Sequence, residues 1–398
     1  VMGMKTVKFL HCADIHLDAP FTSLSTEEGK SSERRQDLKL TFRRITETAK
    51  SEKVDLLLIS GDLYEHHYVR KSTICFINDC FKEIPKIKVV IVPGNHDPNT
   101  ANSYYRNFNW ADNVYILTEE NSFARFEDID TIVYGIGFDS SFKDTGISSG
   151  LKGINRGFNE NAESCIENPE SYINILLCHG TLDMDIGDKN YNLVKSEELD
   201  RLGMDYIALG HFHNRMEAQG VRGNIFNPGS PEPLGFDEMG GHGVIMGSIL
   251  KDENSVSKID WKFIELSRKT YEEIEVNIDG CCSDEQVSNR ILETLGDKDY
   301  RNSLLNIVLK GYTGCNFTID SRVVKSYIGD RAYFVKIKDF TDPDYNFDEI
   351  SKEPGLKGLY VRKILSMIDE SKDEDRARLL KKALYYGIEA LERGEICI

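Results

Sequence analysis

The sequence predicts an α/β layered domain, then a small α+β unit, then a tail of helices. Three observations predict it. Up to about residue 265, short runs that are apolar on both faces alternate with helical or irregular stretches, the pattern of strands buried between layers. Near Tyr271 a second unit opens with YEEIEVNI, which alternates like a half-buried strand. From about Pro354 the spacing is helical. At 398 residues the chain exceeds one usual core, so two or three domains are expected.

In the first domain the strand-length runs are VKFLHCA at 7–13, VDLLLIS at 54–60, KVVIVP at 88–93, TIVYGIG at 131–137, YINILLC at 172–178 and DYIALG at 205–210. Between the first two, Leu38, Phe42, Ile45 and Ala49 recur at helical spacing. VIMGSIL and IDWKFIEL read as closing strands. In the second unit Ser283, Asp284 and Glu285 precede an amphipathic run, which reads as a capped helix. NSLLNIVLKGYT and RAYFVKIKDF read as strands, and the unit carries no residue cluster that suggests chemistry. In the tail, Leu380, Leu384, Ile388 and Leu391 form one stripe of the last helix. That stripe fits a helical hairpin docked on its own domain, with a partner-binding element as the alternative.

Composition sets limits. With 40% hydrophobic and 29% charged residues the chain is of the ordinary globular kind. No run approaches the length of a membrane span and no cationic-then-apolar leader is present. Val1 to Gly3 read as an appendage before a start at Met4. Nine cysteines is an odd count without a C-x-x-C pair, Cys12 and Cys178 sit in apolar runs, and the adjacent Cys281 and Cys282 are poorly placed to join. A reducing cytoplasm and no disulfide frame are expected. The net charge of −17 argues against broad nonspecific binding to nucleic acid. It leaves room for a local basic patch or bound metals. All nine histidines lie at or before His242, so imidazole chemistry belongs to the first domain.

Polar residues gather where the apolar strands end. Asp14 and His16 follow the first run, Gly61 and Asp62 the second, and Asn95, His96 and Asp97 the third. His179 follows YINILLC, and His211 and His213 follow DYIALG. In open α/β sheets that edge is where sites are built. Glycines 61, 94, 180 and 210 let the backbone turn sharply there. Two aspartates, four imidazoles and one amide, without a thiolate, suit manganese, iron or zinc and disfavour a structural zinc cluster. Seven groups exceed one ion's inner shell, and an aspartate shared between two ions resolves the count. Taken singly the fragments are weak, since Asp-x-His is common in loops and Gly-Asp suits turns. Gly-Asn-His-Asp and Gly-His-x-His at strand ends are rarer, and the five together support one another. His11, within a strand, is expected in the core; His242 in a GGHG loop is assigned no role; Tyr64 and Phe212 are expected to pack behind the site.

The fragments ADIH, SGDLYEHH, PGNHD, CHG and GHFH resemble the five signature blocks of the calcineurin-like metallophosphoesterases, over about residues 5–265. HLDAPF and the segment NPGSPEPLGFDE at 227–238 are similar to the DNA-repair exonuclease branch, which includes SbcD, the Mre-type nucleases and YhaO-like proteins. The resemblance implies a four-layer α/β/β/α core in residues 4–268 and a small α+β capping, DNA-recognition domain in 269–345. It implies C-terminal helices in 346–398 that bind an SMC-like coiled-coil ATPase of the SbcC/Rad type. The activity implied is that of a manganese-dependent DNA nuclease in DNA repair, a 3′→5′ exonuclease on duplex ends and an endonuclease on single strands or hairpins. A cytoplasmic homodimer without membrane attachment is implied as well.

By the same resemblance two divalent ions, manganese first with iron or zinc as alternatives, would share the site. Asp14, His16, Asp62 and His213 would hold one, and Asp62, Asn95, His179 and His211 the other. His96 would protonate the leaving oxygen, with Asp97 orienting and charging its imidazole. Some family nucleases have a histidine three residues after the second-block aspartate; Glu65 stands there, followed by His66 and His67. Those two are the candidates for a phosphate contact, with exposed loop histidines as the alternative. Competing functions are a phosphodiesterase or phosphomonoesterase on a small ester, many of which carry Glu where this chain has Asp97, and a non-catalytic DNA-end-binding scaffold.

Overall fold

The computed structural model describes residues 4–24, 29–139, 169–183, 193–252, 254, 256–315 and 317–393; residues 1–3 lie outside them. The chain divides into two compact units, Val1–Thr270 and Tyr271–Ile398.

The first unit is built on two six-stranded sheets. In one, β1 (Lys5–Cys12), β2 (Leu56–Ser60), β3 (Lys88–Val92) and β4 (Val114–Ile116) run parallel. In the other, β5 (Phe123–Phe126) pairs antiparallel with β6 (Thr131–Ile136), and β6, β7 (Ile173–His179) and β10 (Tyr206–Gly210) run parallel. The second sheet is completed by β11 (Met216–Gln219) and β12 (Ile225–Asn227), the first by antiparallel β13 (Gly243–Lys251) and β14 (Ser257–Glu265).

The sheets face each other through one apolar core. Phe9, Leu58 and Val90 of the first sheet cluster there with Val133, Leu177 and Ala208 of the second. The alternate residues Leu10, Leu57, Ile59 and Ile91 are buried too, so these strands are covered on both faces, as parallel sheets require. Helices α1 (Lys30–Glu52) and α2 (Lys71–Lys82) bury Leu38, Phe42, Ile45 and Ala49, and Ile74, Ile77 and Phe81. The Phe42 and Phe81 rings lie 5.7 Å apart. A short helix α3 (Tyr104–Asn107) follows β3. On the far side of the second sheet, Leu176, Ile207 and Leu209 meet Leu182 of β8 (Thr181–Leu182), Val194 of β9 (Leu193–Val194) and Leu199 of α4 (Ser196–Asp200). The four layers expected from the sequence are present, the last of them thin among the described residues. Strands β4, β5 and β11 carry no long apolar run, because they are short and only partly buried.

The second unit holds a three-stranded sheet of β15 (Thr270–Asn277), β16 (Tyr300–Thr313) and β17 (Ala332–Pro343). Helices α5 (Asp284–Leu295) and α6 (Ser321–Ile328) share its core through Val287, Ile291, Val324 and Ile328. The Ser283 hydroxyl accepts from the Gln286 N–H and caps α5. The tail forms α7 (Phe347–Lys352), α8 (Leu356–Asp369) and α9 (Glu374–Arg393). Leu384 and Ile388 are buried against Val361, Ile350 and Tyr345, so the hairpin docks on its own unit. Leu356, Leu359, Leu379, Tyr386 and Leu391 remain exposed. No helix among the described residues is long and apolar enough to cross a membrane.

Candidate metal centre

Parallel pairing fixes where the polar residues go. The C-terminal ends of β1, β2 and β3 lie side by side, as do those of β7 and β10. The two edges meet closely: His179 Nδ1 donates to the Ser60 carbonyl at 2.8 Å. Glycine is needed at this junction. A Cβ on Gly210 would lie 2.1 Å from the Ser60 carbonyl oxygen, and one on Gly94 2.2 Å from Asp62 Oδ1. Asp14, His16, Asp62 and His211 hold φ values of +53°, +48°, +52° and +94°. Side-chain-bearing residues rarely adopt such backbone, and its concentration at one edge marks a functional site.

The expected donors converge. His16 Nε2 lies 3.1 Å from His213 Nε2 and 3.6 Å from Asp62 Oδ2. His179 Nε2 lies 3.1 Å from Asp62 Oδ2 and 3.0 Å from Asn95 Oδ1, and His211 Nδ1 lies 3.3 Å from His179 Nε2 and 3.2 Å from Asn95 Oδ1. Asp14 groups with His16 and His213, and Asp62 with His179 and His211. Two constellations therefore share one edge, with Asp62 near both.

The imidazole protons decide what fits between them. His16 Nδ1 is bonded to Glu65 at 2.8 Å and His213 Nδ1 to Glu238 at 2.7 Å. With His179 committed to Ser60, three of the four imidazoles have Nδ1 occupied and Nε2 turned to the cluster. Lone pairs face one another across 3.1 Å and 3.3 Å, which is repulsive unless a proton or a cation lies between. Burial lowers an imidazole, yet Asp62 and Asp14 bring His179 up to about 9, and Glu238 and Asp14 do the same for His213. The donor set of carboxylate, imidazole and amide fits a pair of divalent cations.

His96 sits at the rim with its side chain 45% exposed. Its Nδ1 is bonded to Glu65 Oε2 at 3.1 Å, which, against burial, raises it to about 9. Asp97 does not orient His96, contrary to the sequence expectation. Its carboxylate accepts from the N–H groups of Gly94, Asp62 and Leu63 at 2.7, 3.2 and 2.7 Å and from the Tyr105 hydroxyl at 2.6 Å. Burial and the Asp62 charge push Asp97 up to about 6, while these four donors hold its anion. Asp97 thus clamps the β2 and β3 loops together. His66 and His67 lie on the next turn, and the His66 N–H donates to the His96 carbonyl at 2.9 Å. Neither ring joins the metal-ready groups among the described residues.

A calcineurin-like phosphoesterase profile matches residues 7–215, just over half the chain. This chain belongs to that family. The calcineurin-like phosphoesterases are hydrolases of phosphoester bonds built around dinuclear metal sites, which the paired constellations suit. Among curated proteins the chain is similar to the uncharacterized metallophosphoesterase YhaO of Bacillus subtilis, 27% identical over 59% of this chain and 55% of that one. It is similar to the DNA double-strand break repair protein Mre11 of Methanopyrus kandleri, 24% identical over 65% and 57%. It is also similar to SbcD, a component of the nuclease SbcCD of Staphylococcus epidermidis, 26% identical over 52% and 57%. The chain spans little more than half the length of these relatives.

Sequence reasoning missed the carboxylates that steer the metallophosphoesterase imidazoles. Glu65 joins His16 to His96, and Glu238 holds His213. Glu238 is itself bonded by the Ser230 hydroxyl at 2.6 Å, and His242 Nε2 reaches the Glu238 carbonyl at 3.2 Å. His242, which had no role, is thus part of the support behind the centre. Both glutamates stand inside fragments that carried the family resemblance, which was the available signal. His11 is buried as expected, between the Tyr206 hydroxyl and the Leu209 carbonyl. Tyr64 is buried behind the site.

Proposed function

We propose that this chain is a dinuclear-metal nuclease acting on DNA. The observation that carries the reading is the facing pairs of imidazole nitrogens, with His96 open to solvent beside them. Asp14, His16, Asp62 and His213 would hold one ion, and Asp62, Asn95, His179 and His211 the other; the native metal we propose is manganese. Cations held there would supply Lewis-acid chemistry toward a phosphate and its attacking water. His96 carries the proton for the leaving oxygen on Nε2 while Glu65 occupies Nδ1. Glu65 also orients His16, so one carboxylate aligns a ligand and the proton donor. His66 is the closer candidate for an added phosphate contact, because its backbone is tied to His96.

DNA as substrate is supported by the similarity to proteins named for double-strand break repair and for the SbcCD nuclease. On that reading the small α+β part of the second unit is the DNA-recognition part. The exposed apolar residues of α8 and α9 meet a coiled-coil ATPase, and the protein works as a cytoplasmic homodimer. The action proposed is 3′→5′ on duplex ends with endonuclease action on single strands or hairpins. The test is cleavage of linear duplex DNA with manganese, beside hydrolysis of bis-p-nitrophenyl phosphate. Both activities are expected, and both are expected to vanish with chelator. Hydrolysis of the small ester without DNA cleavage, even with the ATPase added, overturns the nuclease reading.

A further inference from the structure

The loop that carries Asp14 and His16 does not end at the metal centre. It continues through Asp18 and Phe21, again at positive φ, +68° and +48°, and forms one wall of a cavity of about 380 Å³. Asp18, Ser32, Arg35, Lys39, Tyr68 and Arg70 line it. Helix α1 gives a second wall through Ser32, Arg35 and Lys39, and the turn that starts at Glu65 gives a third. Tyr68 and Val69 donate their N–H groups to the Glu65 carbonyl at 3.0 and 2.8 Å, so about one helical turn, roughly 5 Å of rise, parts this cavity from the carboxylate holding His16 and His96.

The cavity is basic on a chain of net charge −17. Its carboxylate, Asp18, is already engaged: the Arg70 N–H and the Thr73 hydroxyl donate to it at 3.0 and 2.6 Å, and Lys39 Nζ lies 3.5 Å away. Arg35 donates to the Pro20 carbonyl at 3.4 Å. No carboxylate among the described residues lies within ion-pair distance of the Arg35 or Arg70 guanidinium. Tyr68 is 57% exposed beside them. Guanidiniums without a carboxylate partner among the described residues, hydroxyls and an open aromatic face are the elements that take a single-stranded nucleic acid, phosphate on the cations and base on the ring. We propose that this cavity binds the strand adjoining the scissile bond, Arg35 and Arg70 on a backbone phosphate and Tyr68 stacking a base. The proposal rests on the nucleic-acid reading above and gives an acidic chain its local grip.

The test uses the full chain and a fluorescein-labelled oligo-dT 15-mer in chelator, so that binding is read without cleavage. Arg35→Ala/Arg70→Ala is expected to weaken binding about tenfold or more and to flatten the salt dependence by about 0.7 for each phosphate no longer neutralised. Tyr68→Ala is expected to weaken it about tenfold with the salt slope unchanged. Metal-loaded hydrolysis of bis-p-nitrophenyl phosphate is expected to stay within twofold in both variants. Unchanged oligonucleotide affinity and slope in the double variant overturns the proposal, as does an equal loss of small-ester hydrolysis. A change in inorganic phosphate binding alone overturns it too. If the wild type binds the 15-mer through these residues yet never cleaves DNA, the strand site stands and the nuclease reading falls.

Discussion

A histidine can offer a cation one ring nitrogen only when its proton is held on the other. At this centre Glu65, Ser60 and Glu238 hold that proton for His16, His179 and His213. Removing such a partner typically costs about 10–100-fold in metal affinity. Glu238→Gln is expected to weaken one of two manganese sites by that amount in calorimetric titration while leaving every ligand in place. His96→Asn is expected to keep both ions and to lower kcat by about 10²–10⁴; loss of an ion in that variant would count against His96 as proton donor. All seven proposed ligands were legible as residues at strand ends, because strand direction carries them to one edge. Their steering partners were not. Sequence shows that His96 and Asp97 are neighbours, but four donors capture Asp97, leaving His96 to a glutamate from another loop.

At the scale of elements, the junction between sheets depends on close approach and on one neutral histidine. His11 of β1 reaches across to Tyr206 and Leu209 of β10, and burial holds its imidazole down at about 3, against a retained bond to Leu209. A group depressed on folding gives full stability above its unfolded value near 6.5 and loses it as pH falls toward 3, because the unfolded chain binds the extra proton. Below pH 6.5 the wild type is expected to lose about 1.4 kcal/mol per pH unit more than His11→Gln, measured by urea unfolding in chelator. Gly210→Ala is expected to destabilise by about 1–3 kcal/mol or more, since its Cβ would meet the Ser60 carbonyl oxygen at 2.1 Å; an unchanged urea midpoint would contradict that. The long buried strands were legible from their apolar runs. Strands β4, β5 and β11 and helix α6 were not, because short, half-buried elements leave too few apolar positions to set a period.

Across the whole molecule, the chemistry and the tail fall in different units. Every proposed ligand and its steering carboxylate lies in Val1–Thr270, whereas α7, α8 and α9 dock on Tyr345 in the second unit. Removal of residues 356–398 is therefore expected to leave bis-p-nitrophenyl phosphate hydrolysis within twofold. The most direct test of the account is metal content: manganese per chain, measured by mass spectrometry after equilibrium dialysis, for the wild type and for Asp62→Ala. Two ions per chain in the wild type, and one or none in the variant, are expected from an aspartate shared by both constellations. One ion or none in the wild type, or two retained without Asp62, would contradict it.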